Sequence, residues 1–227
     1  MVQIHSIAER RTNADVVFDH LYDEIVSLRL LPGTKISEVE IARQFGVSRQ
    51  PVRDAFSRLD SLGFLLIRPQ KATEIKRFSL KAIATARFIR TAIEIEVLHK
   101  AGRLWQPGGE QRFAANLAAQ REAVSTGDAD GFHALDHEFH RLLCEAAEAP
   151  FAFEAIAANR AEADRLCVLS LMQTDSMGLL LADHTAIIGA LARGDDLAAA
   201  AVMRGHLQRL DATINTVRNL HGEYFER

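Results

Sequence analysis

The sequence predicts a mainly α-helical chain, with a small helix-and-hairpin domain followed by a larger all-helical domain. Residues 1–78 contain several helix-capping and turn signals, and two short strand-like segments lie at the end of this range. After Phe78 the chain turns to long alanine-rich stretches of helical periodicity without a strand signal. These two observations predict domains at 1–78 and 79–227.

The composition is that of a globular protein. The 227 residues are 48% hydrophobic and 25% charged. No apolar run approaches the roughly 20 residues of a membrane-spanning helix, and the charged N-terminus does not resemble a signal peptide. Cys144 and Cys167 lie in helical segments, which suits a reducing compartment. We therefore expect a cytoplasmic protein without a membrane partner.

The first helix of the small domain has clear boundaries. Thr12 and Asp15 form a capping box ahead of a periodic apolar run. Pro32 and Gly33 cannot continue a helix, so the helix is predicted to end near Leu31.

Two shorter helices follow. Ser37 and Glu40 form a second capping box, and Gly46 permits a tight turn after that helix. Ser48 is predicted to cap a third helix, which ends at Gly63.

A hairpin closes the small domain. Residues 64–68 and 73–77 suit strands, and residues 69–72 form the loop between them. Three helices followed by a hairpin are the element order of a winged helix-turn-helix.

The larger domain is predicted to be a six-helix antiparallel bundle. Proline, glycine and capping signals divide it into short-linked segments, and short connections favour neighbouring helices that pack side by side. The predicted helices span residues 79–104, 108–126, 129–147, 150–172, 175–193 and 195–219.

Charge and spacing point to nucleic acid. Residues 43–77 carry eight Lys and Arg against three Asp and Glu. Arg49 and Arg53 are four residues apart on one face of the third helix, and an arginine fork fits guanine or phosphate. A solvated basic face would explain two such arginines equally well. The element order favours DNA, with these predicted contacts: Ser48, Arg49, Gln50, Arg53 and Lys71 at the hairpin tip.

The stretch from Leu31 to Gly63 closely resembles the DNA-binding domain of GntR-family transcription regulators. The core Gly46-Val-Ser-Arg-x-Pro-Val-Arg53 carries this resemblance. It implies that Arg49, Gln50, Arg53 and the wing tip contact DNA. Val39 stands where the family usually has a basic residue, and Gln70 where it usually has the wing-tip glycine.

Four metal-type side chains lie on apolar stripes of the bundle: Asp136, His140, His184 and His206. Asp136 and His140 are spaced i, i+4, so both can reach one ion. Each histidine alone could instead be a core residue bonded to a carbonyl oxygen. Three imidazoles and a carboxylate that met at one point would satisfy one another through a divalent cation.

A second resemblance covers the bundle. The motifs Asp136-x-x-Phe139-His140, Asp183-His184 and Met203-Arg-Gly-His206-Leu are similar to the FCD effector domain of FadR-type regulators. Many such domains bind a metal at these four positions, so the resemblance implies a divalent ion, with zinc favoured and nickel or manganese as alternatives. Two departures stand out, because Asp183 replaces a usual Glu and Glu148-Ala149 replaces a common Gly-Asn.

Arg90 lies on the apolar stripe of the first bundle helix. It could pair within the helix with Glu94, four residues on. It could also await an anionic ligand, since its planar fork suits carboxylates. The FCD resemblance implies the second role, in which Arg90 binds the effector.

These expectations combine into one hypothesis. We expect a homodimeric transcription regulator that binds a double-stranded DNA operator and responds to a small organic acid, and not an enzyme. One alternative is a metal-dependent enzyme in which the ion activates water. Another is a regulator whose metal is purely structural or sensory. The sequence leaves repression or activation, the operator and the effector open.

Overall fold

The computed structural model describes residues 11–158, 166 and 176–226. The chain divides into two compact units, Met1–Arg77 and Phe78–Arg227, and each unit is described by itself. Throughout the described ranges, each helix is too short or too polar to cross a lipid bilayer.

Three helices and a small sheet form the first unit. The helices are α1 (Asn13–Val26), α2 (Glu38–Phe45) and α3 (Arg49–Ser61). The strands are β1 (Lys35–Ile36), β2 (Leu65–Leu66) and β3 (Thr73–Ile75). The sheet is antiparallel in the order β1-β3-β2. The hairpin strands are shorter than predicted, and β1 was missed because two residues carry no readable alternation.

Helix α1 begins as predicted and ends early. The capping box between Thr12 and Asp15 is present. The helix ends at Val26 and not near Leu31, because Leu28 adopts a left-handed φ of 58°. Leu28 is nevertheless buried, so it continues the apolar repeat of α1 in the sequence although it lies beyond the end of the helix.

The caps of α2 and α3 differ. The Ser37 side chain accepts a hydrogen bond from the Val39 amide, and Gly46 ends α2 with a φ of 64°. Ser48 occupies the N-cap position of α3, but its side chain makes no capping hydrogen bond. The predicted side-chain cap is therefore wrong, although α3 starts at the predicted residue.

The second unit is built from helices. They are α4 (Leu80–Leu104), α5 (Gln111–Thr126), α6 (Ala129–Ala146), α7 (Pro150–Ala158), α8 (Ser176–Ala192), α9 (Asp196–Gln208) and α10 (Leu210–Leu220). The predicted helix 195–219 is in fact two helices that meet at Arg209. Most of the predicted helix 150–172 beyond Ala158 lies outside the described residues, as does Cys167.

Helix α6 is central to the second unit. It packs against α4, α5, α7 and α8, and α9 packs against α4 and α8. The core that these helices enclose includes Leu98, Phe113, Phe139, Ile187 and Met203, all fully or almost fully buried.

The end of the described chain returns to the start of this unit. The Phe78 amide donates to the Tyr224 carbonyl oxygen, and the Glu226 amide donates to the Phe78 carbonyl oxygen. The rings of Phe78 and Phe225 lie 5.3 Å apart and are buried.

Gln70 and Glu148, which stand where the families that the sequence resembles usually have glycine, both adopt a left-handed backbone conformation. Gln70 at the hairpin tip has a φ of 58°, and Glu148 between α6 and α7 has a φ of 49°. Side chains with a Cβ are strained in this region, whereas glycine is not.

We expect Glu148→Gly to raise the free energy of unfolding of the second unit by about 0.5–1 kcal/mol, because relief of the strain outweighs the added freedom of the unfolded chain. Glu148→Ala removes the same exposed side chain and keeps the strained φ, so it should not stabilise. Urea unfolding followed by circular dichroism measures both. Equal effects of the two variants would contradict the role of backbone strain.

Candidate metal centre and nucleic-acid interface

Three helices bring the four predicted metal ligands together. Asp136 and His140 lie one turn apart on α6, His184 lies on α8 and His206 on α9. One ligand atom from each residue lies within 4.8 Å of every other. The histidines are buried, and the Asp136 side chain is 16% exposed.

The three imidazoles turn the same nitrogen inward. The Nε2 atoms of His184, His140 and His206 lie 3.4, 3.9 and 4.0 Å from Asp136 Oδ1. The His184 ring stacks on Phe139 at 4.0 Å between centroids, which holds it against α6.

A chain of hydrogen bonds fixes the protonation of His184. Asn116 Nδ2 donates to the Leu135 carbonyl oxygen at 2.9 Å, so Asn116 Oδ1 accepts from Gln120 Nε2 at 2.7 Å. Gln120 Oε1 is then an acceptor, and it lies 2.8 Å from His184 Nδ1. His184 Nδ1 must therefore carry the proton, which leaves a lone pair on Nε2.

The other two histidines also face acceptors on their outer side. His140 Nδ1 lies 2.5 Å from Glu94 Oε2 on α4. His206 Nδ1 lies 3.6 Å from Asp183 Oδ2, and Arg209 holds Asp183 through two bonds of 2.5 and 2.9 Å. Outer acceptors of this kind orient imidazoles toward a metal and raise their basicity.

Electrostatics favours the metal-ready protonation states. Burial lowers the pKa of both His184 and His206, so both are neutral at neutral pH. An aspartate carboxyl is ordinarily ionised at neutral pH, so Asp136 presents a carboxylate to the neutral imidazoles of His184 and His206.

This arrangement fits a divalent cation. Within the described chain, the Nε2 atoms of His140 and His184 are buried without a hydrogen bond. An unsatisfied buried polar atom costs about 1–3 kcal/mol. The lone pair of His184 Nε2 also faces the Asp136 carboxylate, and two acceptors cannot satisfy each other. A cation between them would satisfy both, and imidazole with carboxylate is a common donor set for zinc, nickel and manganese.

Arg90 forms the intrahelical pair that the sequence left open. It is 7% exposed, and its Nε donates to Glu94 Oε1 at 2.9 Å. Because the other oxygen of Glu94 faces His140, one buried carboxylate joins Arg90 to a metal-type ligand.

Sequence reasoning missed Gln120 entirely and saw Glu94 only as a partner of Arg90. A signal for Gln120 was present, since Asn116 and Gln120 fall on the buried stripe of α5 with Phe113 and Leu117. His137 on α6 packs edge-on against Phe153.

In the first unit, a glutamate holds the two predicted DNA-reading arginines. Glu38 Oε2 accepts from Arg49 Nη2 at 3.0 Å and from Arg53 Nη2 at 3.4 Å. The arginine side chains are 58% and 56% exposed. The hydrogen bond from Arg49 and the contact with Arg53 lower the pKa of Glu38, so the carboxylate is ionised.

The remaining predicted DNA contacts are exposed. Ser48, Gln50 and Lys71 lie at the surface, and Gln50 Nε2 donates to Asp54 Oδ1 at 2.8 Å.

The basic residues at the base of the hairpin are engaged within the sheet. Glu74 on β3 pairs with both Arg68 and Arg77. Lys71 is thus the exposed cation at the hairpin tip itself.

Comparison with known proteins assigns both units. Residues 13–75 match the family of bacterial regulatory proteins called gntR, and residues 86–209 match the FCD domain. The chain belongs to the GntR family of DNA-binding transcription regulators, in the group with an FCD domain. The family resemblance predicted from the sequence is confirmed.

Relatives extend over nearly the whole chain. This GntR-family regulator is 32% identical over 209 residues to the HTH-type transcriptional repressor RspR of Escherichia coli K12, covering 92% of each chain. It is 26% identical over 205 residues to the Nta operon transcriptional regulator of Aminobacter aminovorans, covering 89% of this chain and 95% of the relative.

Solved structures share the fold. Escherichia coli McbR/YncC has a TM-score of 0.73 at 18% identity, covering 91% of this chain and 99% of its own. A GntR transcriptional regulator of Rhodococcus sp. RHA1 has a TM-score of 0.72 at 23% identity, with the same coverage. The predicted class, a winged helix-turn-helix followed by an all-helical domain, is confirmed.

We expect Gln120→Leu to lower the affinity for divalent ions about 10–100-fold while all four ligand side chains remain, because His184 loses the acceptor that fixes its protonated nitrogen. Titration of metal-stripped protein with zinc against a chromophoric chelator measures the affinity. Gln111→Leu makes the same chemical change at the exposed start of α5 and should leave it unchanged. A Gln120→Leu variant with the zinc affinity of the parent chain would contradict this orienting role.

We expect Arg53→Ala to weaken binding to the preferred operator by about 1–3 kcal/mol, because a base-edge or phosphate contact is lost. Lys71→Ala should weaken binding to all duplexes alike and lower the slope of log K against log salt concentration by about one. Fluorescence anisotropy at several salt concentrations separates the two effects. Arg193→Ala, an exposed arginine of the second unit, serves as the control; should Arg53→Ala behave like it, α3 would not be the reading helix.

Proposed function

We propose that this regulator binds operator DNA through α3 and the hairpin tip, and that a divalent ion and a small carboxylate at the FCD domain control that binding. The observation that carries the proposal is the convergence of three imidazole Nε2 atoms on Asp136, with Glu94 connecting the cluster to a buried arginine.

The DNA-binding part of the proposal rests on exposed side chains at the start of one helix. Arg49 and Arg53 project from the first turns of α3, where backbone amides also favour a phosphate. Lys71 would contact the backbone from the hairpin tip. Gln50 would add base-edge contacts beside the arginines, and Ser48 a phosphate contact.

The metal part rests on the fit of the four ligands: Asp136, His140, His184 and His206. A divalent ion held by four protein ligands supplies one or two further positions that a water or carboxylate oxygen can take. Zinc is the ion we propose, with nickel and manganese as alternatives, because N/O ligand sets discriminate poorly among them.

Arg90 is the residue we propose for the carboxylate. It is a buried cation, and it is linked through Glu94 to His140. A guanidinium carries five donors in a planar fork, so it can bond a ligand carboxylate and keep a bond to Glu94. A small acid would then contact both the ion and Arg90, which favours organic acids over neutral sugars or amines.

We propose repression as the direction of control, as in the name of the relative RspR. We also propose a homodimer, because two related DNA-binding units match an operator of two half-sites. Such a regulator would act in the cytoplasm, where bacterial DNA lies.

An enzyme is the second candidate, because three histidines and an aspartate with an open coordination position resemble hydrolytic zinc centres. The family membership favours regulation. Turnover of small esters by metal-loaded protein would favour the enzyme.

The deciding experiment is ligand binding with and without metal. We expect acetate, lactate or citrate to raise the melting temperature of zinc-loaded protein and to change its operator affinity, whereas glycerol does neither. Binding should weaken at least about tenfold in chelator-stripped protein and in Arg90→Lys, which keeps the charge but loses the planar fork. His184→Ala should lose zinc in elemental analysis. Equal carboxylate binding after chelation would show that the ion is structural or sensory only.

A further inference from the structure

An acid lies beside the two arginines of α3 that we propose to contact DNA. Glu38, the first residue of α2, offers a single oxygen, Oε2, to the Nη2 atoms of both Arg49 and Arg53. Its side chain is 25% exposed, so it lies deeper than the arginines that it holds. An acid beside a polyanion-binding surface opposes attraction to phosphate, and this position therefore calls for an explanation.

The shared oxygen constrains both arginines at once. Two guanidinium groups repel each other when they approach, and a carboxylate between them removes that repulsion. Each arginine uses one Nη2 hydrogen for Glu38 and retains other donors of its fork. Because both bonds end on the same atom, the spacing of the two forks is set by α2 rather than by the free rotation of two exposed side chains.

We propose that Glu38 is a specificity-determining residue, which positions Arg49 and Arg53 as one preorganised reading unit and weakens binding to DNA that offers only phosphates. This proposal rests on the proposed DNA-reading role of the two arginines. Glu38 need not contact DNA itself, since it acts through the side chains that do.

The geometry separates two effects of this carboxylate. Its charge lowers the affinity for any duplex, because it cancels part of the positive charge that phosphates attract. Its two charge-assisted hydrogen bonds, which need both the charge and the full reach of the side chain, fix the arginine forks. Directed forks discriminate among base pairs, whereas loose ones settle on phosphates. The ratio of operator affinity to random-duplex affinity measures the second effect.

The test uses the full chain and two DNA probes. One probe is the duplex that the parent protein selects from a random-sequence library, and the other is a random duplex of equal length. Glu38→Gln removes the charge and keeps the length of the side chain. Glu38→Asp keeps the charge and shortens the reach. Glu40→Gln removes a charge from the same exposed helical turn and keeps a residue type suited to that turn, so it is the matched control.

We expect Glu38→Gln to raise affinity for the random duplex and to steepen its salt dependence, while the operator-to-random ratio falls about tenfold. Glu38→Asp should lower the ratio with little change in random-duplex affinity. Glu40→Gln should leave the ratio unchanged. Melting curves of the three variants would confirm that each is folded.

Two outcomes would overturn the proposal: a Glu38→Gln ratio equal to that of the parent, or equal shifts for Glu38→Gln and Glu40→Gln. The second outcome would mean that Glu38 affects DNA binding only through its contribution to the net charge. Failure of the underlying DNA assignment has a different signature, because Arg49→Ala and Arg53→Ala would then leave operator affinity unchanged. If those two variants weaken binding while Glu38→Gln keeps the ratio, the arginines read DNA without help from Glu38.

Discussion

The Asp136 carboxylate imposes the constraint on which the second unit depends. An ionised oxygen that is mostly withdrawn from water needs donors or a cation close by. The groups that surround it are imidazole Nε2 atoms 3.4–4.0 Å away, and the Asn116–Gln120 chain fixes the nearest of them as an acceptor. Packing this cluster at the centre of the unit is costly unless a cation joins the acceptors. This cost is the physical argument for the metal site that we propose.

The outer layer around this cluster explains how several helices cooperate. Helix α4 contributes Glu94, α5 contributes Gln120 and α8 contributes Asp183, each facing the Nδ1 atom of a different histidine. Two helices that carry no proposed ligand, α4 and α5, therefore supply orienting groups, while α8 supplies both a proposed ligand and an orienting group. The metal affinity that we propose would therefore be coupled to the packing of these helices, since a shift of α4 or α5 would turn an imidazole away from the ion. Arg90 on α4 lies on the same chain of contacts, because Glu94 bonds to it and also faces His140.

The helices and the four proposed metal ligands could be predicted from the sequence, whereas the groups that orient those ligands could not. Periodicity identified the helices and put the histidines on buried stripes, because a 3.6-residue repeat directly reports which face is inside. It failed at Leu28 and Arg209, where buried side chains continue a periodic pattern across a break in the backbone. Gln120 and Glu38 escaped notice for a different reason: their partners lie 64 and 11 or more residues away along the chain, and no local spacing encodes a tertiary contact.

Both units use one carboxylate oxygen to gather nitrogen groups, but in different surroundings. Glu38 lies at a surface where its two arginines are more than half exposed, so water and salt screen the interaction and DNA can compete for the forks. Asp136 lies among buried imidazole rings, where screening is weak and where burial lowers the pKa of His184 and His206. Surface screening therefore leaves Arg49 and Arg53 restrained by Glu38 but free to exchange it for another acceptor, as the DNA-reading role that we propose for them requires. Burial makes the electrostatic interactions within this cluster nearly independent of salt, which suits the binding of an ion that we propose.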